Sequence, residues 1–314
     1  MELIRNLSDL QSRYHECVAT IGNFDGFHLG HQVVLKQLRS RADELNLPVT
    51  VMVFEPQPVE FFEPDNAPSR LTRWREKYQL LRDHGVDRMI CLRFGAQLAT
   101  LSAEDFVVDL LLEKVGVRHL LIGDDFRFGQ GRKGDFDLLC DLSQKLSKKH
   151  GFKVERSETF LIDGERVSSS RIRILLENGD LDQAARLLGR HYSISDRVVH
   201  GNKQGRALGF PTANIELRRL KTALNGIFVA NVVLEDRSRQ PSVAYIGTKP
   251  TLGGTRSLLE AHLFDYSDNL YGKFIKVEFL KKLRDDKKFD SFETLKEQIA
   301  KDAQMAREYF LDNE

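Results

Sequence analysis

Cysteine is scarce in this 314-residue chain, and the three present lie far apart, at Cys17, Cys91 and Cys140. They form no CxxC pair, and an odd count argues against a disulfide framework. Such usage fits a reducing compartment. The first residues lack the apolar stretch of a signal peptide, and no apolar run approaches the length of a membrane span. We therefore expect a cytoplasmic protein without a membrane partner.

Excess charge is also lacking. The 47 basic and 46 acidic residues leave a formal charge of +1, so we expect no bulk attraction to nucleic acid or to a membrane surface. Apolar residues make up 41% of the chain and charged residues 30%, which is typical of a globular protein. The length predicts two domains, and no obligatory protein partner is evident.

The chain has no GxxxxGK[ST] segment, which excludes a P-loop. A different glycine-rich turn is present, TIGNFDGFHLGHQ at residues 20–32. It joins an apolar run, Val18–Ile21, to a segment with apolar residues at helical spacing, so it connects a strand to a helix that begins near Gln32. A helix N-terminus offers N–H groups and a positive dipole end to phosphate. A metal-binding pair or two surface histidines are the alternatives.

This turn resembles the HxGH signature of nucleotidylyltransferases, whose two histidines grip the phosphates of a nucleoside triphosphate. Its longer form is similar to the FAD synthetase module of bacterial bifunctional riboflavin kinase/FMN adenylyltransferases. The resemblance implies that His28 and His31 are catalytic. It also implies that ATP is bound by residues of the turn: Gly22, Asn23, Phe24, Asp25, His28 and His31. Class I aminoacyl-tRNA synthetases share a similar motif, but they are usually longer, and no KMSKS-like segment is present here.

Two further segments of the first half match the same family. GDDFRFG at residues 123–129 resembles a GxxFxFG element, which implies that Asp125 and Phe126 place the nucleotide or the flavin. RVSSSRIR at residues 166–173 resembles an ISSTxxR motif, which implies a group that binds the pyrophosphate side of ATP: Arg166, Ser168, Ser169, Ser170 and Arg173. Without the family, the first segment is a surface turn and the serines cap a helix.

Alternating strand and helix patterns predict that residues 1–184 form a Rossmann-like domain with a parallel sheet. Ligands of such sheets bind beyond the carboxyl ends of the strands, where the loops after Ile21 and Ile122 fall. Short β-type runs in residues 185–314 predict an antiparallel barrel or sandwich, followed by a terminal helix after Ser291. The family implies the barrel.

The second half contains VHGNKQGRALGFPTAN at residues 199–214, which resembles the glycine loop and PTAN motif of riboflavin kinases. The resemblance implies that a second ATP is bound by residues of this segment: Gly201, Lys203, Gly205, Pro211, Thr212 and Asn214. Threonine hydroxyls and asparagine carbonyls are hard oxygen ligands, so Thr212 and Asn214 are the predicted Mg²⁺ ligands. A plain turn with Asn214 as a cap is the alternative.

RSLLEAHLFD at residues 256–265 resembles the kinase strand that carries a glutamate base. Strand alternation places Glu260, His262 and Phe264 on one face. The resemblance implies that Glu260 takes the proton of the riboflavin 5′-hydroxyl; a solvated strand glutamate is the alternative. Leu283 and Arg284 begin a segment similar to the family's LRxExxF, which implies flavin binding.

Three positions of the second half depart from the family pattern. Asp286 stands where Glu is usual, and near Tyr245 and Lys249 the family often has Asn and Arg. These departures concern the positioning of the flavin rather than the reaction class.

The resemblance covers nearly the whole chain and implies two reactions. Residues 185–314 phosphorylate riboflavin with ATP, giving FMN and ADP, and residues 1–184 transfer the adenylyl group of ATP to FMN, giving FAD and pyrophosphate. Catalysis would come from positioning and charge neutralisation, with Mg²⁺ screening the triphosphate. The alternatives are one active domain beside a degraded one, and a flavin-binding carrier or regulator.

Overall fold

The computed structural model describes residues 1–5, 10, 16–201, 209–217, 221–251 and 254–313, without the side chains of residues 148, 248–251 and 254–256. The chain divides into two compact units. The first comprises Met1–Ala67 and Arg73–Val167, and the second comprises Pro68–Thr72 and Ser168–Glu314. Packing therefore groups a short segment of the first half with the second unit. The functional boundary expected between residues 184 and 185 stays a prediction.

The first unit is built on a parallel sheet. Within the described residues its six strands are β1 (Glu2–Ile4), β2 (Cys17–Ile21), β3 (Val49–Glu55), β4 (Arg88–Arg93), β5 (Val117–Ile122) and β6 (Lys153–Arg156). Their order is β1-β4-β3-β2-β5-β6, and every pairing is parallel. The winding direction reverses between β2 and β5, so the loops that follow these two strands lie side by side.

Helices cover both faces of this sheet. They are α1 (Leu29–Leu45), α2 (Pro58–Phe62), α3 (Trp74–Asp83), α4 (Ala96–Ala99), α5 (Ala103–Asp105), which continues as a π-helix (Phe106–Val115), and α6 (Phe136–His150). On one face, Leu38 of α1 lies in an apolar cluster with Val18 of β2 and Val51 of β3. On the other face, Leu110 of the π-helix lies in a second cluster, which contains Met52 of β3. Two covered faces explain why β2 and the first residues of β3 are buried throughout and mostly apolar.

A short hairpin, β7 (Leu161–Ile162) with β8 (Glu165–Arg166), ends the first unit. The second unit begins with α7 (Ser169–Glu177) and α8 (Leu181–Leu188). A closed barrel follows, made of β9 (Ser193–Val199), β10 (Ala213–Glu216), β11 (Gly226–Val233), β12 (Arg239–Thr251), β13 (Gly254–Leu263) and β14 (Phe274–Arg284). The last helix is α9 (Phe292–Asp312). The predicted fold class, a parallel sheet followed by an antiparallel barrel, is confirmed.

The barrel has a packed interior and a partly covered outer face. Phe228, Ile246 and Leu259 are completely buried and alternate with outward-facing residues. On the outer face, Ala303 and Ala306 of α9 pack in a cluster with residues of β11, β12 and β14: Ile227, Val229, Val243 and Leu280. The terminal helix therefore covers the side of the barrel that these three strands form.

The three cysteines are free, as the sequence predicts. Burial raises the pKa of the Cys17 and Cys91 thiols to about 11, so both stay protonated at neutral pH. Among the residues that the structure describes, no helix has both the length and the apolar composition needed to cross a bilayer.

Candidate active sites

The turn after β2 places both histidines at the start of α1. His28 is the N-cap residue, and its Nδ1 accepts from the backbone N–H of His31 at 3.4 Å. The two imidazole rings stack with centroids 3.7 Å apart. The helix begins at Leu29 and not near Gln32 as the apolar spacing predicts, because the capping contact extends it backwards.

The turn has an unusual backbone. Phe24, Gly26 and Phe27 all have positive φ, at 46°, 78° and 44°, a conformation that costs free energy for residues with a side chain. Packing offsets this cost, since both phenylalanines are buried and the Phe24 ring lies 4.8 Å from the His31 ring. Asp25, between them, is also buried at 2% exposure. The turn is therefore fixed by its rings before a ligand arrives.

This arrangement defines what His28 can do. Its Nδ1 is used as an acceptor, so in the neutral ring the proton is on Nε2, which is a donor. A donor at the N-terminus of a 17-residue helix, beside backbone N–H groups, is suited to phosphate oxygens. The geometry therefore supports anion binding at this turn.

The neighbouring loop, after β5, brings together two of the residues predicted for this site. Arg166 of β8 donates from Nη2 to Asp125 Oδ1 at 3.0 Å. Phe126 packs at the edge of the apolar cluster and stacks on Phe128, with ring centroids 5.5 Å apart. A Cβ atom at Gly129 would lie 2.6 Å from Ala103 Cα, so the loop lies directly on α5. Asp125 and Phe126 therefore flank the switch point of the sheet, although their role in binding stays a prediction.

The serine motif starts α7. Ser168 is its N-cap, with Oγ accepting from the Arg171 backbone N–H at 3.2 Å, so the capping interpretation is correct for this residue. Ser169 is half-buried and Ser170 is exposed. Arg173 donates from Nε to the Ser69 carbonyl at 2.6 Å. That these groups also bind pyrophosphate stays a prediction.

In the barrel, strand pairing assembles residues that are far apart in the chain. Asn214 of β10 lies opposite Glu260 of β13, and Tyr245 of β12 lies opposite Glu260 on its other side. Directly opposed residues share a face of the sheet. Leu259 and Ala261, on either side of Glu260, are completely buried in the interior, so Asn214, Glu260 and Tyr245 form a row on the outer face. The candidate base and a candidate metal ligand are therefore neighbours.

The PTAN motif is anchored next to this row. Asn214 Nδ2 donates to the Thr212 carbonyl at 3.2 Å and lies 3.4 Å from Thr212 Oγ1. His262, also on the outer face, lies with Nδ1 at 2.8 Å from the Pro211 carbonyl, and because a carbonyl only accepts, the ring donates. Of the glycine loop, Gly201 is described and packs on Asn214, whereas Lys203 and Gly205 lie outside the described residues.

The donor set beside Glu260 suits Mg²⁺ that enters with a nucleotide. Thr212 and Asn214 each carry a neutral side-chain oxygen, and the two side chains are neighbours, with Thr212 Oγ1 at 3.4 Å from Asn214 Nδ2. The described residues contain no group of three or more His, Cys, Asp or Glu side chains able to hold a metal ion. Mg²⁺ commonly takes few protein ligands and completes its shell with water and phosphate oxygens, so the residues present fit this ion.

The predicted flavin-binding pair, Leu283 and Arg284, lies at the end of β14. Arg284 donates to both carboxylate oxygens of Asp302 on α9, at 2.9 Å from Nε and 2.7 Å from Nη2. Leu283 packs against the apolar cluster beneath α9. Arg284 thus anchors the helix, and contact of either residue with flavin stays a prediction.

Comparison with known proteins finds two family models that match the chain in succession. The family model for FAD synthetase matches residues 10–171, and the model for riboflavin kinase matches residues 188–310. The bifunctional riboflavin kinase/FMN adenylyltransferase of Escherichia coli strain K12 is 47% identical over 99% of this chain and 98% of its own length. The chain belongs to the bifunctional riboflavin kinase/FMN adenylyltransferase family. Its predicted enzymatic function is thereby confirmed.

A second relative and a solved structure also match nearly the whole chain. The protein of the same name from Haemophilus influenzae is 46% identical over 99% of both chains. A crystal structure described as a macrolide-efflux protein from Streptococcus pneumoniae has a TM-score of 0.80 and 28% identity, and covers 98% of this chain and 99% of its own length. That description concerns efflux, whereas the relatives with higher identity are named for flavin chemistry, and the higher identity decides the family.

The sequence does not point to two features of the bifunctional enzyme's barrel. One is the donation from His262 to Pro211, and the other is a hydrogen bond from Tyr245 Oη to Asp286 Oδ2 at 2.8 Å. Both contacts depend on the register between strands, which a single sequence does not reveal. Strand alternation supplies only the face on which His262 lies.

We expect Gly201→Ala to impair FMN formation. A Cβ atom at residue 201 would overlap Asn214 Oδ1, so the amide must leave its place beside Thr212. A displacement of about 1 Å in a positioning group costs on the order of a hundredfold in rate, and we expect a ten- to hundredfold decrease. The measurement is the initial rate of FMN formation from riboflavin.

The matched control is Gly95→Ala, because a Cβ atom at that glycine meets nothing within 4 Å. Adenylyl transfer from supplied FMN should be unchanged in both variants. A Gly201→Ala protein with a normal kinase rate would show that Asn214 need not keep this position.

Proposed function

We propose that the barrel transfers the γ-phosphoryl group of ATP to riboflavin, and that the parallel-sheet unit transfers the adenylyl group of a second ATP to the resulting FMN. The observation that carries the kinase assignment is the pairing of Glu260 with Asn214 on the outer face of the barrel. It places a carboxylate beside the side chains that suit the metal–nucleotide complex. Such proximity is the requirement for general-base catalysis of phosphoryl transfer.

In the kinase reaction, Glu260 takes the proton of the riboflavin 5′-hydroxyl while the hydroxyl oxygen attacks the γ-phosphorus. The bond to the β-phosphate oxygen breaks, and ADP leaves. Thr212 and Asn214 would hold Mg²⁺, which supplies charge neutralisation at the phosphates. His262 keeps the Pro211 segment against β13, so the nucleotide side and the base side of the reaction stay aligned.

In the adenylyl transfer, a phosphate oxygen of FMN attacks the α-phosphorus of ATP, and pyrophosphate leaves. His28 Nε2 and the amides at the start of α1 would donate to phosphate oxygens as they gain charge. His31 stacks on His28 and would donate from the first turn of the same helix. Asp125 and Phe126 would lie beside the nucleotide or flavin, and Ser168, Ser169, Ser170, Arg166 and Arg173 would bind the departing pyrophosphate. The free cysteines support a cytoplasmic location.

The direct test is to incubate the full chain with riboflavin, ATP and Mg²⁺ and to separate the flavins by chromatography. We expect FMN to appear first and FAD to follow, and addition of excess EDTA to stop both. FMN without FAD would mean that only the kinase is active. Bound but unchanged riboflavin would identify a carrier and overturn the proposal.

A further inference from the structure

Tyr245 lies along the outer surface of the barrel in the space above Gly247. A Cβ atom at residue 247 would overlap the hydroxyl and ring atoms of Tyr245. Residues two apart on a strand share a face, so the missing side chain leaves room for the ring. The phenol therefore occupies the position on β12 where a side chain at residue 247 would otherwise stand.

The hydroxyl end of this ring is fixed. Tyr245 Oη donates to Asp286 Oδ2 at 2.8 Å. Asp286 follows β14 closely, and Arg284 at the end of that strand is itself held by Asp302 of α9. Burial, the hydrogen bond to Asp286 and the charge of Glu260 all raise the pKa of Tyr245, so the hydroxyl stays protonated and remains a donor.

The ring also lies next to the candidate base. Tyr245 and Glu260 are directly opposed residues of β12 and β13, and opposed side chains are in contact range. Tyr245 packs against the same apolar cluster as Phe210 and Leu283. One face of the barrel thus presents a carboxylate, a fixed aromatic ring and an apolar margin in succession.

We propose that Tyr245, held by Asp286, is a positioning residue of the kinase. The planar ring system of the flavin packs against the Tyr245 ring, and this contact sets the approach of the flavin 5′-hydroxyl to Glu260. The inference rests on the proposed function, since it takes Glu260 as the base. An aromatic ring with a fixed edge is suited to this task, because it offers a flat surface at a small cost in side-chain entropy. The substrate class is a planar heteroaromatic ring that carries a flexible polyol chain.

Tyr245 and Asp286 contact each other through this hydrogen bond. The two residues therefore form a single structural unit. A change to one member releases the other, so the pair must be tested by single and double substitution.

The test compares Tyr245→Phe, Asp286→Asn and the double variant in the full chain, with FMN formation measured against riboflavin concentration. Without the hydrogen bond the ring is no longer held, and riboflavin binding must supply the free energy that orders it. The bond contributes about 1.5–3 kcal/mol, so we expect each single variant to raise the KM for riboflavin by up to roughly 10- to 100-fold. We expect kcat to change much less. The double variant should be no worse than the worse single variant, because both changes break one contact.

Two further variants separate positioning from stability. Gly247→Ala retains both hydrogen-bonding residues in the sequence but displaces the Tyr245 ring, so it should raise the KM for riboflavin in the same way. Tyr309→Phe removes a hydroxyl from another tyrosine of the same cluster and should leave KM unchanged. A purely structural role for Tyr245 would lower the melting temperature and the active fraction of the enzyme at constant KM, and would overturn the proposal.

Unchanged KM in both single variants, or fully additive effects in the double variant, would also overturn it. Failure of the proposed function is distinct from these outcomes. It would appear as absence of FMN with the wild-type chain, or as a normal kinase rate in a Glu260→Gln variant.

Discussion

Replacement of Glu260 by glutamine is expected to slow FMN formation by about 10²- to 10⁴-fold, the usual contribution of a general base. Glutamine has the size of glutamate and keeps its place opposite Asn214 and Tyr245, but its amide does not take up the proton of the 5′-hydroxyl. The loss should fall mainly on kcat, since riboflavin and ATP still bind. Adenylyl transfer from supplied FMN should proceed at the wild-type rate, because it takes place in the other domain.

Glu278→Gln is the matched control for this experiment. Glu278 is a barrel carboxylate of β14 whose partners are Lys276 and Arg239, so the same substitution there tests the loss of a strand carboxylate for its effect on stability. A wild-type kinase rate in Glu260→Gln would show that a different group takes the proton. An equal loss in Glu278→Gln would assign the effect to stability of the barrel.

His31→Ala is expected to lower the rate of FAD formation from FMN by about 10²- to 10³-fold, as is typical when one preorganised donor to a developing negative charge is removed. The change also removes the His31 ring, whose centroid lies 3.7 Å from that of His28 and 4.8 Å from that of Phe24. His28 would then lose part of its support. FMN formation from riboflavin should be unaffected, so the variant should accumulate FMN, which chromatography detects directly.

His84→Ala provides the comparison. The His84 ring packs on Phe27, with centroids 4.5 Å apart, so it contacts the same turn without belonging to the motif. We expect near-normal FAD formation in that variant. If His31→Ala retains adenylyl transfer, the turn after β2 is not the phosphate site.

The sequence predicts the central strands well because their signal is strong. Val49–Phe54 is an almost uninterrupted apolar run between turn signals, and it lies within β3. β1 has three residues, and β6 reads KVER with exposed ends, so neither carries a pattern that stands out. The Phe106–Val115 segment has the expected apolar face but winds as a π-helix, a distinction that apolar spacing alone does not make.

For the candidate sites, the sequence identifies residues but not their partners. The HxGH and PTAN segments name His28, His31, Thr212 and Asn214, because these motifs are contiguous. The sequence does not predict β10 as a strand, since it is only four residues long and two of them, Ala213 and Asn214, belong to the PTAN segment. Its pairing with β13, which brings Asn214 to Glu260, depends on register between distant segments. Likewise, nothing local indicates that Arg284 meets Asp302 on the last helix.

The assignment of Pro68–Thr72 to the second unit bears on how this enzyme can be dissected. Arg173 is held by the carbonyl of Ser69, and the side chain of Leu71 in the same segment is completely buried. A fragment that starts at Ser168 would contain every strand of the barrel. It would lack Pro68–Thr72, the five residues of the first half that belong to the same packing unit. The second packing unit is therefore not contiguous in the chain, and a fragment that starts at Ser168 needs Pro68–Thr72 returned, for instance as an added peptide, to keep the contact between Ser69 and Arg173.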